Sequence, residues 1–403
     1  MDLGQGLGHL TYSTLVHPGD TWAEMWNSLT TYVPKVKKRV CPDKPFGVSL
    51  RISNSSAKTL TNDRGERERL KSFLDEHDLY LYTVNAFPYG PFKNRIVKED
   101  VYEPDWRTDD RATYTMEVAN ILAEVSPEFV DPTIQSPPLA FKPNIYRPRH
   151  VEELTHQVLR VVEHLINLHR STGRKVRLAL EPEPHCFLET TDEALEYFKD
   201  HLYSKRAIDT IVGATGLSRA DADEALHEHL GMVYDICHQA VEYEDIGASL
   251  QALADAGIPV FKLQEAAAIR TPEVTQEKVD ALKKFADTVY LTQTVEKKDG
   301  KLNRFLNLED AFEAWEKDPG PREWRTHFHV PVFLDDLGDF KTTRFAIEDA
   351  LAFHRKNKLS PQLEIETYTW DVLPDHLKTG DIVDYVVMEL EWVQEQLLGK
   401  QGN

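Results

Sequence analysis

Residues 177–185 read RLALEPEPH, a short apolar run that stops at two glutamates, Glu181 and Glu183, each followed by proline. An apolar run of this length bounded by breakers predicts a buried strand. Pro182 and Pro184 remove backbone donors and hold the exit of that strand extended. If the pleat continues, both glutamates face the same side. A carboxylate at the end of a buried strand either caps it in solvent or faces a ligand, and the rest of the chain bears on which.

Eight further strand-like runs alternate with helical stretches: HLTYST (9–14), FGVSLR (46–51), LYLYTVNAF (79–87), FVDPTIQS (129–136), MVYDICH (232–238), PVFKLQ (259–264), HFHVPVF (327–333) and LEIETYTW (363–370). Between them, apolar residues recur at helical spacing over 21–33, 151–168 and 381–398. In the second of these the stripe is Val151, Leu154, Val158, Val161, Val162 and Leu165. This alternation predicts an α/β protein with a parallel sheet. At 403 residues the simplest closed form is a single (β/α)8 TIM barrel over 1–403. The segments at about 88–106, 205–230 and 288–326 read as loop and helical insertions. With RLALE the count is nine strands, one more than the barrel needs.

Composition narrows the function. A formal net charge of −20 without a basic stripe repels a phosphate backbone, so nucleic acid is not expected as a partner. Three cysteines give no disulfide framework. The first residues, MDLGQGLGHL, carry neither a basic nor an apolar targeting segment, and no run approaches 18 apolar residues. A soluble cytoplasmic protein without direct membrane insertion is expected. There is no phosphate-binding glycine loop before a helix, no G-x-S-x-G and no H-E-x-x-H, which sets aside nucleotide-dependent, serine-hydrolase and zincin chemistry.

What remains is the set of polar residues on strands. Glu181 ends its run; Asp235 and His238 end MVYDICH; Gln264 ends PVFKLQ; His327 and His329 sit in HFHVPVF; Glu364 and Glu366 sit in LEIETYTW. A parallel barrel gathers the C-terminal ends of its strands into one ring. Residues scattered along the chain can therefore converge on one divalent ion, and this oxygen and nitrogen donor set suits Mn²⁺, Mg²⁺, Co²⁺ or Zn²⁺. Asn85, Phe87, Tyr12, Glu183, His185 and Trp370 are candidates for the wall of the same pocket, since small-molecule sites combine apolar walls with a few polar groups.

VRLALEPE, MVYDICH and LEIETYTW resemble the metal-binding strand ends of the xylose-isomerase-like TIM barrels, a superfamily of sugar and sugar-phosphate isomerases and epimerases. The ordered set HLTYSTLVHPGDTWAEMW, NAFPYGPF, LALEPEP, YDICHQAVEYED, HFHVPVF and LEIETYTWDVLP is similar to the Ebo-cluster metabolite-traffic family. The first resemblance implies Glu181, Asp235 and Glu366 as metal ligands, with Glu181 and Glu366 as paired acid/base groups and His238 reaching the substrate or the ion's surroundings; His327 is a further candidate for the substrate pocket. Where the superfamily supplies a histidine from the next strand, this chain has Gln264; either Gln264 through its amide oxygen takes that place, or His329, or His327 on the same face of its strand, does so from HFHVPVF. The second resemblance implies a small polyol, sugar or cyclitol-like metabolite, a secondary-metabolite pathway and a functional link to a membrane prenyltransferase. Two other functions compete: a non-catalytic metabolite carrier on the same barrel, and a metal-dependent phosphoester hydrolase, which the acidic charge disfavours.

Overall fold

Strands β1 (His9–Tyr12), β2 (Phe46–Arg51), β3 (Leu79–Asn85), β4 (Thr133–Ser136), β5 (Arg177–Leu180), β6 (Leu230–Asp235) and β7 (Val260–Glu265) run parallel around a barrel. The computed structural model describes residues 1–92, 96–286, 289–371, 373, 378 and 380–399. After β7 come β8 (Ala267–Thr271), β9 (Thr294–Lys298), β10 (Lys301–Phe305), β11 (Glu323–Val330) and β12 (Lys341–Thr342), and only then the eighth barrel strand, β13 (Gln362–Ile365). The barrel order is β1-β13-β7-β6-β5-β4-β3-β2. A bridge between Ser13 and Ser49 closes the seam between β1 and β2. There the Thr11 hydroxyl donates to the Gly47 carbonyl at 2.7 Å. β2, β3, β6, β7 and β13 are buried at every position. Strands covered by helices outside and filled by side chains inside have that pattern.

The helical stripes form the outer ring. In the helix Pro148–Thr172, Leu154, Val158, Val161, Val162 and Leu165 are fully buried. Thr190 and Glu193 make the reciprocal cap that starts the helix after β5. The segment 205–230 adds two helices, Lys205–Thr215 and Arg219–His229. Among the described residues no helix is long and apolar enough to cross a membrane.

The ninth strand-like run, HFHVPVF, is outside the barrel. It forms the end of β11 in a five-stranded antiparallel sheet of order β10-β9-β11-β8-β12, inserted between β7 and β13. One residue, Ala266, separates β7 from β8, so no glycine or proline marks where the barrel strand gives way to the inserted sheet. β10 is mostly exposed and shows no apolar alternation. The pairing of β11 with β8 changes register between Thr326 and Val330, which places His327 and His329 on the irregular stretch. Such bulges re-aim side chains; here the two histidines meet residues at the barrel mouth.

Candidate metal centre

The barrel interior ends in a buried polar layer. Lys262 and Gln264 on β7, Glu364 on β13 and Gln135 on β4 are all at most 1% exposed. Lys262 Nζ donates to Gln135 Oε1 at 2.8 Å and Glu364 Oε2 at 3.0 Å. Gln264 Nε2 donates to the same Gln135 oxygen at 3.1 Å and to Glu364 Oε1 at 3.2 Å. Gln135 then donates through Nε2 to Glu181 Oε2 at 2.6 Å. This layer fixes the amide of Gln135 and, through it, the carboxylate above.

Glu181 leaves β5, Asp235 ends β6, and Glu366 follows β13 by one residue. One ligand atom from each lies within 4.8 Å of the others. Glu366 Oε1 accepts from Asn85 Nδ2 at 2.8 Å. The run MVYDICH, expected to stay extended to His238, stops at Asp235. There Asp235 Oδ1 accepts from the backbone of Cys237 and His238 and starts the short helix Ile236–Val241. Asp235 Oδ2 is buried with no hydrogen-bond partner. His238 therefore stands one helical turn beyond Asp235.

The histidine tautomers follow from their neighbours. His238 Nδ1 lies 2.8 Å from the Pro182 carbonyl, His327 Nδ1 lies 2.9 Å from Gln293 Oε1, and His329 Nδ1 bonds the Glu366 carbonyl. An oxygen acceptor requires a proton on each Nδ1, which leaves each Nε2 as a lone-pair donor to an electrophile. His238 Nε2 is 3.7 Å from Asp235 Oδ2; the Nε2 atoms of His327 and His329 are 3.1 Å apart. Asp235, His238 and His329 offer ligand atoms within 4.8 Å of one another, as do Glu183, His238 and His327.

Burial dominates the electrostatics. It pushes Glu181 and Glu366 well above the usual carboxylate range, with like charges adding: Glu366 and Asp235 against the first, Glu364 and Asp235 against the second. Burial raises Asp235 to about 6 and Glu183 to about 8, and lowers His238 and His329 to about 4. Neutral imidazoles beside crowded carboxylates, with Asp235 Oδ2, Glu183 Oε2 and Gln264 Oε1 buried and unpartnered, fit a divalent cation. Glu181, Asp235, Glu366 and His329 are the residues that would hold it. Gln264, whose Nε2 is committed to Gln135 and Glu364, keeps a buried, unpartnered Oε1 that could take the place of His329. Cys237 also lies with His327 and His329, but burial pushes its thiol well up, which makes it a poor ligand.

The metal-free protein has a defined pH response. Carboxyls whose folded pKa is raised hold protons that the unfolded chain has already lost above about pH 4, so they lower stability progressively as pH rises towards their folded values. The lowered histidines act oppositely, but only between about 4 and 6.5. The buried Met1 amino group, lowered to about 5, opposes the carboxyls as a single group. From pH 6.5 to 8 the chelated protein therefore loses stability, by up to about 1.4 kcal/mol per pH unit for each titrating carboxyl. Urea midpoints with and without added Mn²⁺ check this: the downward slope should flatten when the ion is present.

Above the ring is a pocket with a cavity volume of about 60 Å³, open at its mouth. Asn85, Gln135, Glu181, Glu183, His238, Gln293, His327 and Glu366 supply its polar lining. Leu15, Phe87, Phe92, Leu291, Tyr290 and Tyr368 supply much of its apolar wall. Two expected wall residues lie elsewhere. On β1 the pleat turns Tyr12 away from the lumen, and its hydroxyl pairs with His17 Nε2 at 2.9 Å. His185 adopts φ 65°, which turns the chain so that its ring meets the Phe305 backbone and its amide donates to Glu189. The side chain of Trp370 is outside the described residues. Three polar residues at the site were not anticipated: Gln135, Tyr102 and Gln293. Gln135 ends a strand-like run and was legible by the same rule as Glu181. Gln293 lies in a connection with no periodicity, and nothing in its neighbourhood marks it.

No family model and no curated protein matches the chain. Among solved structures, the chain is similar to the IolI protein with a bound zinc atom (12% identity, 97% of this chain and 98% of that one, TM-score 0.48). It is also similar to a xylose isomerase-like TIM barrel protein from Mycobacterium smegmatis in complex with magnesium (10%, 96% and 98%, TM-score 0.46). A third is the 3-keto-D-glucoside 4-epimerase YcjR from E. coli (12%, 96% and 98%, TM-score 0.43). At these scores the likeness adds nothing to the barrel assignment, which rests on the strand topology.

Proposed function

We propose that this protein is a metal-dependent isomerase or epimerase acting on a small polyol, sugar or cyclitol-like metabolite. One observation carries the reading: Glu181 and Glu366 are buried, share ligand distance with Asp235, and are oriented separately, by Gln135 and by Asn85. Two carboxyls held by different strands can divide proton removal and proton return at a carbon beside a carbonyl. Burial and the neighbouring carboxyls raise their affinity for protons, which favours the protonated form that a donor needs. A divalent ion bound by Glu181, Asp235, Glu366 and His329 would supply Lewis-acid polarisation of the carbonyl oxygen. Asn85 and His238 line the pocket beside them and are placed to orient hydroxyls, while the aromatic wall excludes water.

The resemblance to the Ebo-cluster family supports a substrate drawn from secondary metabolism, handled in the cytoplasm alongside a membrane prenyltransferase. The apolar wall of Leu15, Phe87, Phe92, Tyr290 and Tyr368 also favours a carrier reading, since it covers a ligand body without contributing chemistry. Incubating protein, Mn²⁺ and candidate cyclitols or keto-sugars in deuterium oxide separates the two. Deuterium entering a carbon position supports the isomerase, whereas thermal stabilisation by the metabolite without any exchange supports the carrier and overturns the enzyme.

A further inference from the structure

We propose that the opposite face of the barrel carries a zinc-binding position built by His169, Glu228 and His229, remote from the Glu181–Asp235–Glu366 set and independent of the function proposed above. Each of the three residues offers one ligand atom, and these atoms lie within 4.8 Å of one another. Glu181 follows the last residue of β5, whereas Val176, which bonds His229, and His229 itself stand just before the first residues of β5 and β6. The length of the strands therefore separates this cluster from the candidate metal centre, and none of its members lines the pocket.

Two helix ends bring the ligands together. His169 lies in the last turn of the helix Pro148–Thr172, and His229 is the final residue of the helix Arg219–His229. Both ends carry the partial negative charge of terminal carbonyls, which favours a cation. The two imidazole rings meet edge to face with centroids 5.4 Å apart. His229 Nδ1 donates to the Val176 carbonyl at 2.7 Å, which fixes the tautomer and leaves Nε2 as a lone-pair donor on a residue only 1% exposed. Lys175 Nζ bonds Glu228 Oε1. Among the described residues no hydrogen bond takes up Glu228 Oε2, His229 Nε2 or either ring nitrogen of His169. Both His229 and Glu228 thus have an outer partner on one atom and an open lone pair on the other, the arrangement that orients metal ligands.

The donor set selects the ion. Two imidazoles and one carboxylate leave a fourth tetrahedral place for water, the ligand count of an open zinc site. Imidazole suits Zn²⁺, which binds a given set of this kind more tightly than Mn²⁺, whereas the ring at the barrel mouth is richer in carboxylates. The helix Arg219–His229 belongs to the 205–230 insertion, so a bound ion would clasp that insertion to the long outer helix Pro148–Thr172.

The test uses the full chain, stripped with chelator and dialysed against Zn²⁺ alone. The Glu181→Gln/Glu366→Gln variant, which lacks two ligands of the candidate centre, is expected to keep one Zn per chain by elemental analysis, and adding His169→Asn and Glu228→Gln should abolish it. In the unmodified chain Zn²⁺ should slow amide hydrogen exchange in the last turns of both helices, and the His169→Asn/Glu228→Gln variant should lose that slowing. Zinc that disappears in the Glu181/Glu366 variant and survives in the His169/Glu228 variant overturns the clasp and leaves the metal centre at the mouth intact; the reverse pattern, with a single Zn in the unmodified chain, supports the clasp and counts against the mouth. Zinc that persists in the fourfold variant, or no bound Zn at all, overturns the clasp. The exchange map of the unmodified chain decides the matter even if a variant fails to fold: bound Zn without slowing at the two helix ends overturns the proposal.

Discussion

Lys262→Met should cost about 3–5 kcal/mol of stability, the usual penalty for breaking a buried ion pair from one side. Lys262 is fully buried, and its ammonium satisfies both Gln135 Oε1 and Glu364 Oε2. Methionine replaces the stem but no donor, leaving a carboxylate inside the barrel with only the Gln264 amide on it. Adding Glu364→Leu removes the stranded charge, and the double variant should recover most of the loss, because deleting both partners is far less costly than deleting one. Urea unfolding of the single and double variants measures this directly. A single variant within about 1 kcal/mol of the parent would mean that the pair carries little of the barrel's stability. The same layer holds Gln135 against Glu181, so the single variant should also bind Mn²⁺ more weakly.

The sequence made the barrel legible because its strands are short apolar runs that alternate with helical stretches, each of the stretches 21–33, 151–168 and 381–398 carrying one apolar stripe. It also exposed Glu181, Asp235 and Glu366, since a charged residue at the end of a buried strand is rare unless partnered. The inserted sheet was not legible. β8 follows β7 with a single residue between, β10 is exposed and polar, and β12 is two residues long. None of these gives a period to read. HFHVPVF was visible as a strand, but its sheet was not, because antiparallel pairing with β8 and β9 is set by contacts tens of residues away. The contest between Gln264 and His329 had the same origin: strand order alone puts Gln264 next to Asp235, whereas only the folded insertion brings His329 there. Tyr12 was misplaced by a one-residue question of pleat, which reverses the face of every side chain on a strand.

Glu181→Gln should reduce proton exchange by about 10²–10⁴-fold, the range expected for loss of a positioned acid/base group, with the ion still bound at saturating Mn²⁺. Glutamine keeps the shape and can still accept from Gln135 through its amide oxygen, so geometry is preserved while the basic oxygen is lost. The same change should make the chelated protein more stable than its parent, because Glu181 is buried beside Glu366, Asp235 and Glu183, which all disfavour its charge. A merely structural glutamate predicts the reverse, destabilisation on substitution with little effect on exchange. Glu366→Gln should behave alike, whereas the double variant, which lacks two of the residues that would hold the ion, should lose bound Mn²⁺ together with exchange. Deuterium incorporation and urea midpoints on the same samples give both readouts. Exchange within tenfold of the parent while Mn²⁺ is bound would remove Glu181 from the chemistry and return it to the role of a strand-end carboxylate.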